Sequence, residues 1–350
     1  MIRTDLSRRR FLGRGAALAA SPLALAAPAI AQARQVVVCS WGGAYQKALR
    51  EAFFTPFEAA TGIKLIDTSA PVVAQVRAQV AAGNAEWDVI EGGSRWYPVL
   101  KSLDLIQPID PARIGVADLR PECVLSRGIA PTVVSFILGY NKTRAGANPA
   151  RNWVDFWNVE KFPGPRSLGA DVTYNLEFAL IAAGVAPADL YPIDEDRAFA
   201  KLAEIWPHIK VWWKQGDQPV QMLARGEVVY SSGWAGRFLQ AEQDGLPVGT
   251  SFDQGSWAPS FFMIMKGAKH TDEAYEFIRF AMQPEPQAKL AQLLPTGISN
   301  LKAEALLPPA ARGNLLTTPD RLSRQWLLKG EWLAENYDRV NDRWQKFMLG

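Results

Sequence analysis

Val36-Val37-Val38-Cys39-Ser40-Trp41-Gly42-Gly43-Ala44-Tyr45 decides the fold. Three β-branched residues run into Cys39 with no polar face, the pattern of a strand buried on both sides of a parallel sheet. Tyr45, Ala48, Leu49, Ala52 and Phe53 then recur at helical spacing, so the chain leaves a strand, turns tightly and enters a helix. Ligands of open α/β sheets bind at such carboxyl ends of strands. Gly42 and Gly43 let backbone N–H groups come near a guest there, and Trp41 offers an aromatic face or a packed core residue.

The pattern repeats downstream. Ile63 to Ile66 reads as a second strand, Val72 to Val80 as a helix, and Trp87-Asp88-Val89-Ile90 as a third strand running into Glu91-Gly92-Gly93-Ser94-Arg95-Trp96. Successive β-α units imply a parallel sheet. Thr55-Pro56-Phe57-Glu58 has the signature of a helix start, and Thr271 that of a helix cap. Val133 to Tyr140 and Phe261 to Met265 are apolar strands, and Thr143 to Asn152 reads as a crossing between two lobes. Tyr337, Val340, Trp344 and Phe347 mark a C-terminal helix that docks on a lobe.

The first 33 residues are expected to be an export signal rather than part of the fold. Ser7-Arg8-Arg9-Arg10-Phe11-Leu12 is a twin-arginine signature, an alanine-rich run follows, and Ala31-Gln32-Ala33 is a small-x-small cleavage site. This segment holds five arginines and one aspartate, so without it the formal charge of +3 becomes about −1. The composition therefore gives no case for nucleic acid. The segment implies the periplasm, where Cys39 and Cys123 either form one disulfide or stay two buried thiols; the bridge is the expectation.

Catalytic and cofactor motifs are missing: no phosphate loop, dinucleotide fingerprint, HExxH, CxxC or GxSxG occurs. His208 and His270 are the two histidines, and their neighbours suit surface or capping roles. No enzyme, cofactor or metal site is expected.

The order of features resembles the periplasmic solute-binding proteins of ABC importers, of the spermidine/putrescine-binding type. The resemblance rests on the strand into Ser40-Trp41-Gly42-Gly43, the Asp88-Val89-Ile90 strand, Tyr140-Asn141, Asn152-Trp153-Val154-Asp155-Phe156-Trp157, Gly233-Trp234-Ala235-Gly236-Arg237 and the late Lys266-Gly267-Ala268-Lys269. It implies a type II binding protein with two α/β lobes around a ligand cleft, closing by a hinge. Lobe 1 is expected over 34–139 and 263–310, lobe 2 over 140–262, and docking helices over 311–350. The implied partners are a small-molecule ligand and an inner-membrane permease, with the protein a monomer.

The resemblance carries over residue by residue. Trp41, Trp234 and Trp257 match aromatic walls, Ser94-Arg95-Trp96 occupies a first-lobe loop where an aromatic belongs, and Asp171 matches an ammonium-gripping carboxylate. Aromatic faces hold an ammonium by about 0.5 to 2 kcal/mol each. The departures are Tyr174 where a second acid is expected, Pro259 where an aspartate is expected, and Leu294 in place of a tyrosine. Fewer acids, with Arg95 and Arg237 nearby, suit a guest with one amine and one carboxylate as well as they suit a polyamine. For each arginine a salt bridge is the alternative role, for Asp171 a helix cap, and for Trp234 and Trp257 core packing. Trp213 is a further wall candidate, and Asp217 is read as a helix cap. The competing classes are an exported enzyme built around Asp171 and a ferric-iron binder, for which Tyr140-Asn141 is the hint.

Overall fold

The computed structural model describes residues 34–349; the twin-arginine segment and its cleavage site lie outside the described residues. The quoted stretch forms strand β1, Gln35–Ser40, in which Val36, Val38 and Cys39 are fully buried. It pairs in parallel with β2, Lys64–Ser69, on one side and β3, Val89–Gly93, on the other. The expected helix start at Thr55 is corrected: the helix from Gly43 runs through a wide π-turn, Arg50–Phe54, and on to Thr61, and Thr55 makes no cap bond. Pro56 has no N–H to donate and clashes with the carbonyl four residues back in a regular helix; the wide turn just before it opens the ladder.

β4, Val124–Leu125, turns into the long β5, Gly128–Asn141. β6 (Arg166–Gly169), β7 (Ile209–Trp213) and β8 (Tyr230–Trp234) are parallel neighbours in the second half. β9, Val248–Ile264, is longer still, at 17 residues. β10 (Gly297–Ile298) and β11 (Gln325–Leu327) are short additions to β5 and β9. One sheet results, in the order β2-β1-β3-β9-β5-β8-β6-β7. Two parallel groups of three strands are thus joined by the antiparallel pair β5 and β9. The crossing between halves is made by these strands themselves. β5 gives Ile129 and Val133 to first-half cores and Phe136 to the second-half core; β9 gives Phe252 and Ala258 to the second and Phe261 to Ile264 to the first.

The predicted Cys39–Cys123 disulfide is corrected, because both residues are free, buried thiols. They lie in the same apolar cluster as Ile90, Tyr97 and Phe261. Burial raises both thiols above their ordinary range, so neither favours the reactive thiolate. Thr271 is also corrected: it opens the helix Thr271–Ala281 without capping it. His270 before it is pinned instead, its backbone N–H donating to Asp88 Oδ1 at 2.9 Å and its Nδ1 lying 2.9 Å from Asp88 Oδ2.

The last helix, Gly330–Leu349, buries Val340 and Trp344 in the second-half core, and Trp344 Nε1 donates to the Ala170 carbonyl at 2.8 Å. Its first residue meets the first half: a methyl group at Gly330 would come within 2.1 Å of the Ser94 carbonyl oxygen. Trp344 is completely buried, so Trp344→Ala leaves a large cavity and an unpaired carbonyl. We expect it to cost about 3 to 5 kcal/mol in urea unfolding; a loss under about 1 kcal/mol would show that the helix is not integral to the second half.

Candidate functional site

Trp41 sits where β1 ends, at the turn into the helix beginning at Gly43. Gly42 has φ +80, and a methyl group there would lie 3.1 Å from Ser69 Cβ, so the turn uses glycine for both conformation and close approach. The Trp41 side of the turn stays open, with the residue 43% exposed. Its ring centroid is 5.1 Å from that of Trp96, which follows the glycines at the end of β3. Trp41 Nε1–H donates to Ser260 Oγ at 3.2 Å.

Beneath this pair lies a residue missed in the sequence reading. Glu91 is fully buried and accepts from Ser40 Oγ at 2.6 Å, Tyr45 OH at 2.7 Å and Ser260 Oγ at 2.8 Å. Tyr45 OH is also 3.0 Å from Thr132 Oγ1. Burial raises the Glu91 carboxyl above the ordinary range, and the hydroxyl donors oppose that rise. The only sequence signal was an acid between an apolar strand and a glycine pair.

The second half supplies its own aromatic group. Tyr174 precedes the helix Asn175–Ala182 and has φ +73, a left-handed conformation costly for a bulky side chain. Its ring stacks on Phe136 at 4.3 Å with the planes 9° apart, and meets Trp234 edge-on at 6.0 Å. Trp234 also stands edge-on to Phe136 at 4.9 Å. Arg237 follows in the first turn of the helix Ala235–Gln243; it is exposed and beside Trp234 at Gly216. Among the described residues its guanidinium has no carboxylate partner. Trp213 is buried and tilts against Phe136 at 5.9 Å, while its Nε1 has no partner among the described residues.

Arg95 and Asp171 meet each other. Arg95 Nη1 lies 2.9 Å from Asp171 Oδ1 and 2.8 Å from Thr173 Oγ1. Burial alone raises the Asp171 carboxyl, but the Arg95 charge and the Thr173 hydrogen bonds hold it below the usual carboxylate range. Of the alternatives open for Arg95, the salt bridge between halves is the one observed. Asp171 is not a helix cap; it takes the Thr173 N–H at 2.9 Å, and the helix starts later. The bridge joins the segment just before Trp96 to the turn just before Tyr174, linking the two halves beside their aromatic groups.

Trp257 departs from the expected wall. It packs in the first-half core with Trp87, Tyr97 and Phe261, because residues 257, 261 and 263 share one face of β9. Asp217 precedes its helix without a side-chain cap bond and accepts from Gln221 Nε2 at 2.9 Å. Tyr140 and Asn141 are used internally, by Arg151 Nη1 at 3.1 Å and the Leu223 carbonyl at 2.6 Å, which removes the feature that favoured ferric iron. Among the described residues no group of three His, Cys, Asp or Glu could hold a metal, and no helix is long and apolar enough to cross a membrane.

A sheet shared by two halves, with aromatic groups brought together at strand ends, is the arrangement of a bilobal binder. The matching family model, bacterial extracellular solute-binding protein, spans residues 52–316. The chain belongs to this family. A γ-aminobutyric acid-binding protein of Pseudomonas aeruginosa is 35% identical over 330 residues, covering 92% of this chain and 93% of its own. An ABC transporter substrate-binding protein of Bradyrhizobium japonicum superposes with TM-score 0.86 at 33% identity, over 90% of this chain and 99% of that one. A GABA receptor structure superposes with TM-score 0.84 at 29% identity, over 90% of this chain and 97% of that one. This solute-binding protein is accordingly a two-lobed α/β binder and not an enzyme.

Below the Tyr174 turn, Glu177 is 3% exposed and accepts from Tyr191 OH at 2.9 Å. Burial pushes its carboxyl up to about 7, against the opposing backbone and Tyr191 bonds. A folded-state pKa above the unfolded one favours the protonated form, so this contribution is complete below about pH 4.3 and is lost as pH rises through about 7. Replacing Glu177 by Gln is expected to remove that loss. Melting temperature followed from pH 5 to 8 should fall less in Glu177→Gln than in the parent; parallel curves would refute the assignment.

Proposed function

We propose that the protein is the solute-capturing subunit of an ABC importer, acting as a monomer in the periplasm after loss of residues 1–33, and that its ligand is an ω-amino acid such as γ-aminobutyrate. Lobe 1 comprises residues 34–139 and 263–310 and lobe 2 residues 140–262, with 311–350 docked on them, and ligand capture closes the lobes before delivery to the inner-membrane permease. The observation that carries the ligand class is the division of charge. Asp171, the acid that would grip an ammonium, is paired with Arg95, while Arg237 beside Trp234 has no carboxylate partner among the described residues. A free guanidinium in an aromatic setting suits a carboxylate by forked hydrogen bonding. The Trp41–Trp96 pair suits the amine at the other end.

A diamine fits less well. Pro259 and Leu294 offer no charge, and Tyr174 stacks on Phe136 where a second acid was expected. The P. aeruginosa relative and the GABA receptor support the same choice through what they bind.

A thermal-shift series with γ-aminobutyrate, 5-aminovalerate, putrescine and spermidine tests this. A micromolar ligand at millimolar concentration stabilises the fold by about 4 kcal/mol, a shift of several degrees. We expect the shift with the ω-amino acids. Arg237→Ala should weaken their binding by about 1.5 to 3 kcal/mol in calorimetry. A shift confined to the polyamines, undiminished in Arg237→Ala, would reject the ω-amino acid reading.

A further inference from the structure

Glu91 is fully buried behind Trp41 and is linked to its indole through the Ser260 hydroxyl. Its surroundings are one-directional. Ser40, Tyr45 and Ser260 all give their hydroxyl protons to it. Tyr45 therefore accepts from Thr132, and Ser260 accepts from the Trp41 indole. Three hydroxyl donors converging on one carboxyl favour its acceptor-only, ionised form and oppose the rise that burial imposes. Among the described residues no lysine, arginine or histidine is its hydrogen-bond partner. A buried carboxylate without a cation is costly and is kept where hydroxyl dipoles hold it in place.

The network also reaches across the sheet. Ser40 closes β1, Tyr45 lies on the following helix, Glu91 is in β3, Thr132 in β5 and Ser260 in β9. Its outer end is Trp41, the exposed aromatic of the cleft. Charge in low-dielectric surroundings acts further than the same charge in water, and the nearby Arg95 is itself paired with Asp171, so a negative Glu91 favours a cation at the face of Trp41.

We propose that Glu91 is a positioning residue of the solute site: it holds the Trp41 indole through Ser260, and its charge draws the ammonium end of the ligand to the first lobe, leaving the carboxylate for Arg237. The ligand's orientation rests on the ω-amino acid reading above; the hold on Trp41 does not. It separates two roles that residue types alone would merge, since Asp171, the obvious acid, is held by Arg95.

The test uses the full protein labelled with 5-fluorotryptophan, with the Trp41 resonance assigned by its loss in Trp41→Phe. In the absence of ligand, Glu91→Gln and Ser260→Ala should both move that ¹⁹F resonance. With γ-aminobutyrate as probe in calorimetry, Glu91→Gln should weaken binding about tenfold or more, the scale of one favourable cation–aromatic contact. Ser260→Ala should weaken it less, because the carboxylate stays. Circular dichroism and melting temperature check folding, and if Glu91→Gln does not fold, Ser260→Ala carries the test, since it leaves Glu91 two of its three hydroxyl donors. A Trp41 resonance unmoved in the variants overturns the proposal, and so does a moved resonance with unchanged affinity. If the parent protein fails to bind γ-aminobutyrate while the resonance moves as expected, the hold on Trp41 stands and the ω-amino acid reading falls.

Discussion

The antiparallel ladder between β5 and β9 is the constraint on which the rest of the structure depends. Five consecutive pairs, Thr132 with Ser260 to Phe136 with Ser256, form the waist between the halves. The register shifts on either side of it, between Ile129 and Thr132 and between Phe136 and Leu138. Irregularities of this kind bend and twist a strand locally. The ladder is therefore regular where the halves must stay joined and broken where each half departs. β11 adds a third strand at the same level, alongside Gly255 to Trp257. Ser135 and Ser256, both buried in the waist, have hydroxyls without partners among the described residues. Unpaired buried hydroxyls weaken a core, and here they sit in the strands that join the two halves.

Charge is arranged on the same plan. The Arg95–Asp171 bridge spans the halves, but its side chains are 35% and 48% exposed. A pair in that much water is worth at most about 1 kcal/mol. Such a bridge can register the two lobes without locking them. What it does decide is which charges remain for a guest. With these two cancelled, the buried Glu91 under Trp41 and the Arg237 guanidinium beside Trp234, without a carboxylate partner among the described residues, stand one in each half. A ligand that differs in charge end to end gains from closure in a way that a symmetric one does not.

Much of this was legible from short patterns. The apolar run into Gly42-Gly43 gave a buried strand, which is present, and left Trp41 open between an aromatic face and a core residue, of which the exposed face is observed. The Asn152-Trp153-Val154-Asp155-Phe156-Trp157 segment singled out in the sequence is a short helix, where the Asn152 side chain accepts from Asp155 N–H at 2.8 Å beside a fully buried Trp153. The long crossing strands were not legible, because prolines interrupt them: Pro131 falls at a register shift and Pro259 pairs with Val133. Proline in a strand argues against a central position, so each strand was read in pieces, and Trp257 was assigned to a wall when its place on the whole of β9 buries it. Glu91 was hidden for another reason. Its donors come from residues 40, 45 and 260, and no periodicity links positions so far apart. The Arg95–Asp171 bridge was open as one of several roles, since a separation of 76 residues says nothing about contact.

The two walls of the cleft prove to be mounted on the waist itself. Trp41 hangs by its indole N–H from Ser260, the last residue of the regular ladder on β9. Tyr174 and Trp234 both rest on the ring of Phe136, the last residue of that ladder on β5. Each wall thus stands on a crossing strand, at opposite ends of the same five-pair segment. Tyr174 holds a left-handed backbone to reach its place, a cost that the flat stack on Phe136 offsets. In this architecture the aromatic groups of both halves are supported directly by the two strands that join them, with no relay of intermediate residues.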